Sequence, residues 1–332
     1  MARIIPIESG TDEEKAQAIA AATDVLLRHR PVAIPTETVY GLAADATSAA
    51  AITSIYETKG RPRFNPLICH MSDLDMAERY AVFDPVSRTL ASAFWPGPLT
   101  LVLPLKADAG IHPLATAGLD TVGIRVPVGF TAELIRSLGR PLAAPSANSS
   151  GRISPTTAQH VEADLGQKIE VIIDGGPCPV GVESTIVKVE NGEIHLLRPG
   201  GIEAEAIEAV TGKTVIRLKA SGTAAIEAPG MLASHYAPNA SVRLNATEVT
   251  PGEALIAFGP GEISGSSAAR AVLNLSPGGD LAEAASNLFD FLKRADASGA
   301  TGIAVATIPY EGLGEAINDR LMRAAAPRGT EG

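Results

Sequence analysis

Short apolar runs and helical stretches take turns along almost the whole of this chain, and that alternation limits its fold more than any single motif does. Val32-Ala33-Ile34, Pro66 to Cys69, Leu99 to Leu103, Val122 to Pro127, Ile169 to Ile173, Thr185 to Val189 and Glu193 to Leu197 have the length and composition of strands. Asn191-Gly192 between the last two is a strong hairpin signal. Helical spacing recurs at Ala16, Ile19, Thr23, Leu26 and Leu27, behind the capping-box sequence Thr11-Asp12-Glu13-Glu14. It recurs at Ile52, Ile55 and Tyr56, near Leu74 to Tyr80, from Pro85 to Trp95, and near Ala204 to Val210. Strands that alternate with helices imply an α/β fold.

The pattern breaks at Ala220-Ser221-Gly222-Thr223-Ala224-Ala225, which reads as a linker that ends in His235-Tyr236-Ala237-Pro238. Beyond it, Ala254 to Phe258, Ala271 to Leu275 and Ile303 to Ile308 read as strands, with helices from Leu281 to Ala295 and Glu311 to Ala325. That is a small βα domain with a parallel sheet. A chain of 332 residues is long enough for two domains, each with its own core.

Several classes of function are disfavoured. A formal charge of -10 does not suit a protein whose main task is holding nucleic acid, although a local cationic cleft is compatible with it. The two cysteines, Cys69 and Cys178, have neither disulfide nor zinc spacing and suit a reducing compartment. No apolar run approaches the roughly 20 residues of a membrane span, and the start lacks a long apolar leader segment, so a cytoplasmic protein is expected. Gly212-Lys213-Thr214 lacks the upstream glycine of a P-loop, and Gly259-Pro260-Gly261 lacks dinucleotide-binding spacing. No G-x-S-x-G occurs.

The chemistry concentrates elsewhere. In Glu57-Thr58-Lys59-Gly60-Arg61-Pro62-Arg63-Phe64-Asn65-Pro66 the cations alternate. On an extended backbone they would project to one side as donors for anionic oxygens, feeding a strand that ends at His70. Arg125 inside an apolar strand needs a partner if buried. Arg198 ends the hairpin, and Thr38, Ser146 and Ser184 put hydroxyls near strand ends. Taken singly, the cations suit a solvated loop, His70 a core histidine and Tyr236 a packing residue. Taken together they suit one electropositive crevice at the carboxyl ends of strands.

Six blocks carry a resemblance: Pro35-Thr36-Glu37-Thr38-Val39-Tyr40-Gly41-Leu42, Lys59-Gly60-Arg61-Pro62 with Asn65-Pro66-Leu67, Pro96-Gly97-Pro98-Leu99-Thr100, Gly123-Ile124-Arg125-Val126-Pro127, Ser146-Ala147-Asn148 with Ser150-Gly151, and Glu183-Ser184-Thr185. In this order they resemble the YrdC-like family of L-threonylcarbamoyladenylate synthases. Pro229-Gly230-Met231 and His235-Tyr236-Ala237-Pro238 are similar to the long form of that family. The resemblance implies a YrdC-like domain with a twisted mixed sheet at 1–218, a linker across the active site at 219–238, and a Rossmann-like βα domain at 239–328. It implies that L-threonine, bicarbonate and ATP, with Mg2+, give L-threonylcarbamoyl-AMP and pyrophosphate. A downstream threonylcarbamoyltransferase would then modify tRNA, and the protein itself would be a monomer without stable nucleic-acid binding.

Carried over residue by residue, the family pattern assigns L-threonine to Thr38, His70, Arg125, the backbone of Ala144, and Ser184. It assigns ATP to Lys59, Arg61, Asn65, Thr121, Ser146, Ser154, Arg198 and Tyr236, with Lys59 and Arg61 as the catalytic cations. Arg63 receives no partner, and Glu37, Asp45, Asp174 and Glu183 are equally available to magnesium. Leu232-Ala233-Ser234 departs from the basic, aromatic segment common in the family. Removing the Arg125 or Tyr236 side chain is expected to impair threonine or ATP use without unfolding the protein. Two other readings make different predictions: an RNA-binding module would release no pyrophosphate, and carbamoyl transfer to another acceptor would need no threonine.

Overall fold

The computed structural model describes residues 1–7, 10–217, 229 and 235–327. These divide into two compact units, each range counted over its described residues. The first takes in Met1–Ser150, Pro155–Pro179 and Glu183–Met231, and the second Gly151–Ser154, Val180–Val182 and Leu232–Gly332. Apart from Pro229 and 235–238, the segment expected to form the linker lies outside the described residues, as does Leu232-Ala233-Ser234.

The first unit is built on a mixed sheet of strands β1 (Arg3–Pro6), β2 (Val32–Ile34), β3 (Gly41–Asp45), β4 (Ile68–His70), β5 (Leu99–Pro104), β6 (Thr121–Arg125), β7 (Leu142–Ala143), β8 (Val171–Asp174), β9 (Thr185–Glu190), β10 (Glu193–Arg198) and β11 (Val215–Arg217). Their order is β1-β8-β2-β3-β7-β4-β6-β5-β9-β10-β11. The central pairing β4 with β6 is parallel and puts His70 beside Arg125, while β5 runs antiparallel to β6 and parallel to β9. Asn191 and Gly192, at φ 52° and 77°, form the expected hairpin turn between β9 and β10.

Two helices matter most for the site's framework. Helix α1 (Asp12–Leu27) starts on the capping box, Thr11 accepting from Glu14 N–H while the Glu14 carboxylate accepts from Thr11 N–H. Helix α2 (Ala49–Lys59) buries Ile52, Ile55 and Tyr56, and it ends where Gly60 turns left-handed at φ 61°. The expected extended row of cations is therefore corrected: Lys59 is the last residue of a helix, and Gly60 redirects the chain before Arg61. The core of this unit is aliphatic, with Val32, Ile34, Leu42, Leu101, Ile124 and Ile172 essentially without exposure.

The second unit contains a four-stranded parallel sheet, in the order Ser241–Arg243, Gly302–Val305, Glu253–Ala257, Val272–Asn274. Helices Leu281–Ala297 and Leu313–Ala325 accompany it. No helix among the described residues is long and apolar enough to cross a membrane.

Candidate active site

Arg125 ends β6 with 4% of its surface exposed, and its counter-charge is Glu37, whose Oε1 lies 2.6 Å from Nη2. Arg125 Nη1 donates to Thr38 Oγ1 at 2.8 Å. Thr36 spends its own proton on the Val39 carbonyl at 2.7 Å, so its oxygen is left as an acceptor for Thr38, 2.9 Å away. Thr38 thus accepts from the guanidinium and donates to Thr36. Arg125 Nε is buried with no partner among the described residues. His70 stands in register with Arg125, and its Nδ1 is likewise without a partner. Burial, and then the nearby Arg125 charge, push the His70 pKa down to about 3, so the imidazole is neutral at ordinary pH. Ala144, just past β7, donates its N–H to the Ile68 carbonyl at 3.1 Å.

Ser184 immediately precedes β9. Its Oγ lies 2.7 Å from Thr100 Oγ1 on β5 and accepts from Arg198 Nη2 at 3.2 Å. Arg198 also donates to the Ser184 carbonyl through Nε and Nη2, at 3.2 and 2.8 Å, and to the Pro229 carbonyl at 3.3 Å. This contact depends on Gly200, because a Cβ there would fall 2.3 Å from the Ser184 and Thr185 backbone. Thr100 is thus a neighbour of the site that the family pattern left out; only its place in the Pro-Gly-Pro-Leu-Thr block hinted at it.

The cationic run forms another cluster. Lys59, 3% exposed, donates Nζ to the Ser146 and Asn148 carbonyls, each at 2.5 Å. Burial, and then Arg61, hold its pKa well below the usual lysine range. Arg61 donates to the Asn65 and Pro66 carbonyls at 3.3 and 2.9 Å, and Asn65 Oδ1 is buried without a partner among the described residues. Arg63 is exposed and stands outside the cluster.

Three assigned residues are not part of these clusters. Thr121 begins the strand that Arg125 ends, about 13 Å away at ordinary strand rise. Ser154 and Tyr236 belong to the second unit. There Tyr236, 1% exposed and at φ 60°, stacks on Phe289 with ring centroids 5.4 Å apart, and the Arg320 guanidinium lies 5.5 Å from its ring centroid. Removing that ring would open a cavity in the core of the unit, so the expectation of a purely functional effect does not hold for alanine. Cys69 and Cys178 are buried, which pushes both thiols up to about 12 and leaves no thiolate at neutral pH.

The family model for Sua5, YciO and YrdC proteins, described as "Telomere recombination", matches residues 24–200. The chain belongs to that family. A second model, described as "Threonylcarbamoyl-AMP synthase, C-terminal domain", matches residues 202–326 and marks the Sua5 form. The threonylcarbamoyl-AMP synthase of Bacillus subtilis is 42% identical, with 93% of each chain covered. That of Pyrococcus abyssi is 40% identical, with 99% of each covered. The structure of P. abyssi Sua5 complexed with L-threonine superposes with a TM-score of 0.86 at 38% identity, covering 98% of both chains. Escherichia coli YciO, at 19% identity and a TM-score of 0.53, shares the fold over 60% of this chain.

Proposed function

We propose that this chain makes L-threonylcarbamoyl-AMP and pyrophosphate from L-threonine, bicarbonate and ATP, for the threonylcarbamoyladenosine modification of tRNA. Relatives at 40 to 42% identity over nearly the whole chain bear the synthase name, which sets aside the RNA-binding and alternative carbamoyl-transfer readings. Among the side chains, the observation that carries the reading is Arg125: a buried guanidinium whose Nε–H has no partner among the described residues, beside a threonine hydroxyl and a neutral histidine.

Threonine places its carboxylate on Arg125, with Thr38, His70, the Ala144 backbone and Ser184 around the rest of the molecule. Its amine and bicarbonate give a carbamate, whose oxygen attacks the α-phosphorus of ATP and expels pyrophosphate. Carbamate and triphosphate are both anionic, so fixed cations and donors serve this reaction better than a protein nucleophile. Lys59, Arg61 and Arg198 neutralise phosphate charge, and the family pattern adds Asn65, Thr121, Ser146, Ser154 and Tyr236 to the ATP contacts. In this reading 1–218 is the catalytic domain, 219–238 a linker across the active site and 239–328 an accessory βα domain. The protein works as a cytoplasmic monomer that hands its product to a threonylcarbamoyltransferase.

Magnesium enters with ATP. Among the described residues no three His, Cys, Asp or Glu side chains gather as a metal site; phosphate oxygens and water with one or two carboxylates would suffice to hold the ion. The decisive assay is pyrophosphate release from ATP with threonine and bicarbonate omitted in turn. Release must need both; release without threonine would sink the reading.

A further inference from the structure

Glu37 has no part in the reaction just described, yet it is the closest charged neighbour of the residue on which threonine recognition rests. Its side chain is 9% exposed, and its Oε1 is within ion-pair distance of Arg125 without the alignment of a hydrogen bond. Oε1 has no aligned donor among the described residues, while Oε2 accepts from Val128 N–H at 3.1 Å. The carboxylate is therefore pinned by one oxygen, and its other oxygen is buried against Arg125 without an aligned donor among the described residues. Across from it, Arg125 has Nη1 committed to Thr38, and its Nε is buried with no partner among the described residues. One buried ion pair thus holds, among the described residues, a carboxylate oxygen without an aligned donor and a guanidinium N–H without an acceptor.

Unsatisfied buried groups of opposite character fit a ligand that carries both charges itself. We propose that Glu37 is a specificity-determining residue, one that makes the Arg125 pocket accept zwitterionic α-amino acids and refuse carboxylates that lack an amine. The inference rests on the assignment of Arg125 to the threonine carboxylate. A lone buried guanidinium would attract any carboxylate. With Glu37 in contact the pair is close to neutral, and an incoming monocarboxylate meets a like charge that nothing on the ligand offsets. An α-ammonium, on the carbon that bears the carboxylate, brings an offsetting charge and a donor to the Glu37 oxygen that lacks an aligned one.

The chemistry gives such a filter a purpose. A hydroxy acid without an amine cannot form a carbamate, so in a pocket built on arginine alone it would be an unproductive occupant. Glu37 lowers the affinity for all carboxylates and lowers it least for the substrate.

The test compares L-threonine with 3-hydroxybutanoate, the same molecule without its amine. In the unaltered full-length protein, threonine should raise the thermal midpoint and equal 3-hydroxybutanoate should not. Equal shifts would overturn the proposal, and no shift from either would remove the threonine assignment beneath it. In Glu37→Gln, the ratio of the 3-hydroxybutanoate inhibition constant to the threonine KM, read by pyrophosphate release, should fall by at least about tenfold. Glu37→Asp, which keeps the charge, should retain most of the discrimination. An unchanged ratio in folded Glu37→Gln would overturn the inference and leave the proposed reaction standing. Pyrophosphate release that ignores threonine would fault the reaction instead.

Discussion

Arg125 and Lys59 are both buried cations at the ends of secondary-structure elements, but Arg125 meets a carboxylate whereas Lys59 meets only main-chain carbonyls. Among the described residues Lys59 makes no ion pair, and burial, then Arg61 beside it, weaken its hold on a proton. In the proposed reaction the difference separates two kinds of recognition within one unit. A neutralised guanidinium has little attraction for charge as such and can discriminate by shape and by a second charge on the ligand. A desolvated cation without a counter-ion gains most from a polyanion, because phosphate oxygens restore what burial removed. In the proposed reaction the first suits threonine and the second ATP.

The strongest way to break this contrast is at Arg125. Arg125→Ala should weaken threonine use by about 2 to 5 kcal/mol, or roughly 30- to several-thousand-fold, with a much smaller change in the KM for ATP. It also leaves Glu37 buried without its partner, so a loss of stability is expected beside the loss of function, contrary to what the sequence alone suggested. Arg125→Lys keeps a cation opposite Glu37 but removes the planar fork and its Nε–H, and it isolates the recognition effect. Threonine titrations at saturating ATP check both variants. A folded Arg125→Lys protein with unaltered threonine KM would end the assignment.

Lys59→Ala is the reciprocal probe. Charge-assisted hydrogen bonds are worth about 1.5 to 3 kcal/mol, so ATP use should fall by about 10- to 100-fold. Threonine binding, measured by calorimetry without ATP, should hold. If threonine binding fell as far as ATP use, the two clusters would be one site energetically, and the contrast between them would be empty.

How much of this was legible in the sequence follows from what each residue's role depends on. The hairpin, the capping box and most helices depend on local chemistry, and local patterns revealed them. Strand Gly41–Asp45 is buried at every position, so no alternation marks it, and Leu142–Ala143 is too short to show a period. Arg3–Pro6 and Ser241–Arg243 are short edge strands that bury little. That Arg125 needs a counter-charge was legible from an arginine in an apolar strand. Which carboxylate supplies it was not, because the choice of Glu37 depends on how the loop between β2 and β3 meets the end of β6. The alternating cations misled for a local reason: the left-handed Gly60 makes Lys59 a helix end, and alternation in sequence has no meaning across that turn.

The smallest expected effect sharpens the Arg125 side of the contrast through pH. The His70 pKa in the folded protein is about 3, against an ordinary value of about 6.5 in the unfolded chain. Above about pH 6.5 neither state holds the proton, and the full stability is present. As the pH falls from there toward about 3, the unfolded chain takes up a proton that the folded protein refuses. Stability from this group should therefore decline, by at most about 1.4 kcal/mol per pH unit. His70→Gln should flatten that part of the slope between pH 7 and pH 5 in urea unfolding, whereas carboxylates common to both proteins cancel in the comparison. Because Arg125 is the second cause of the depression, Arg125→Ala should raise the His70 pKa. A His70 imidazole resonance that titrates near 6.5 in the unaltered protein would show that His70 is not held neutral, and the neutral partner assumed for threonine would be lost.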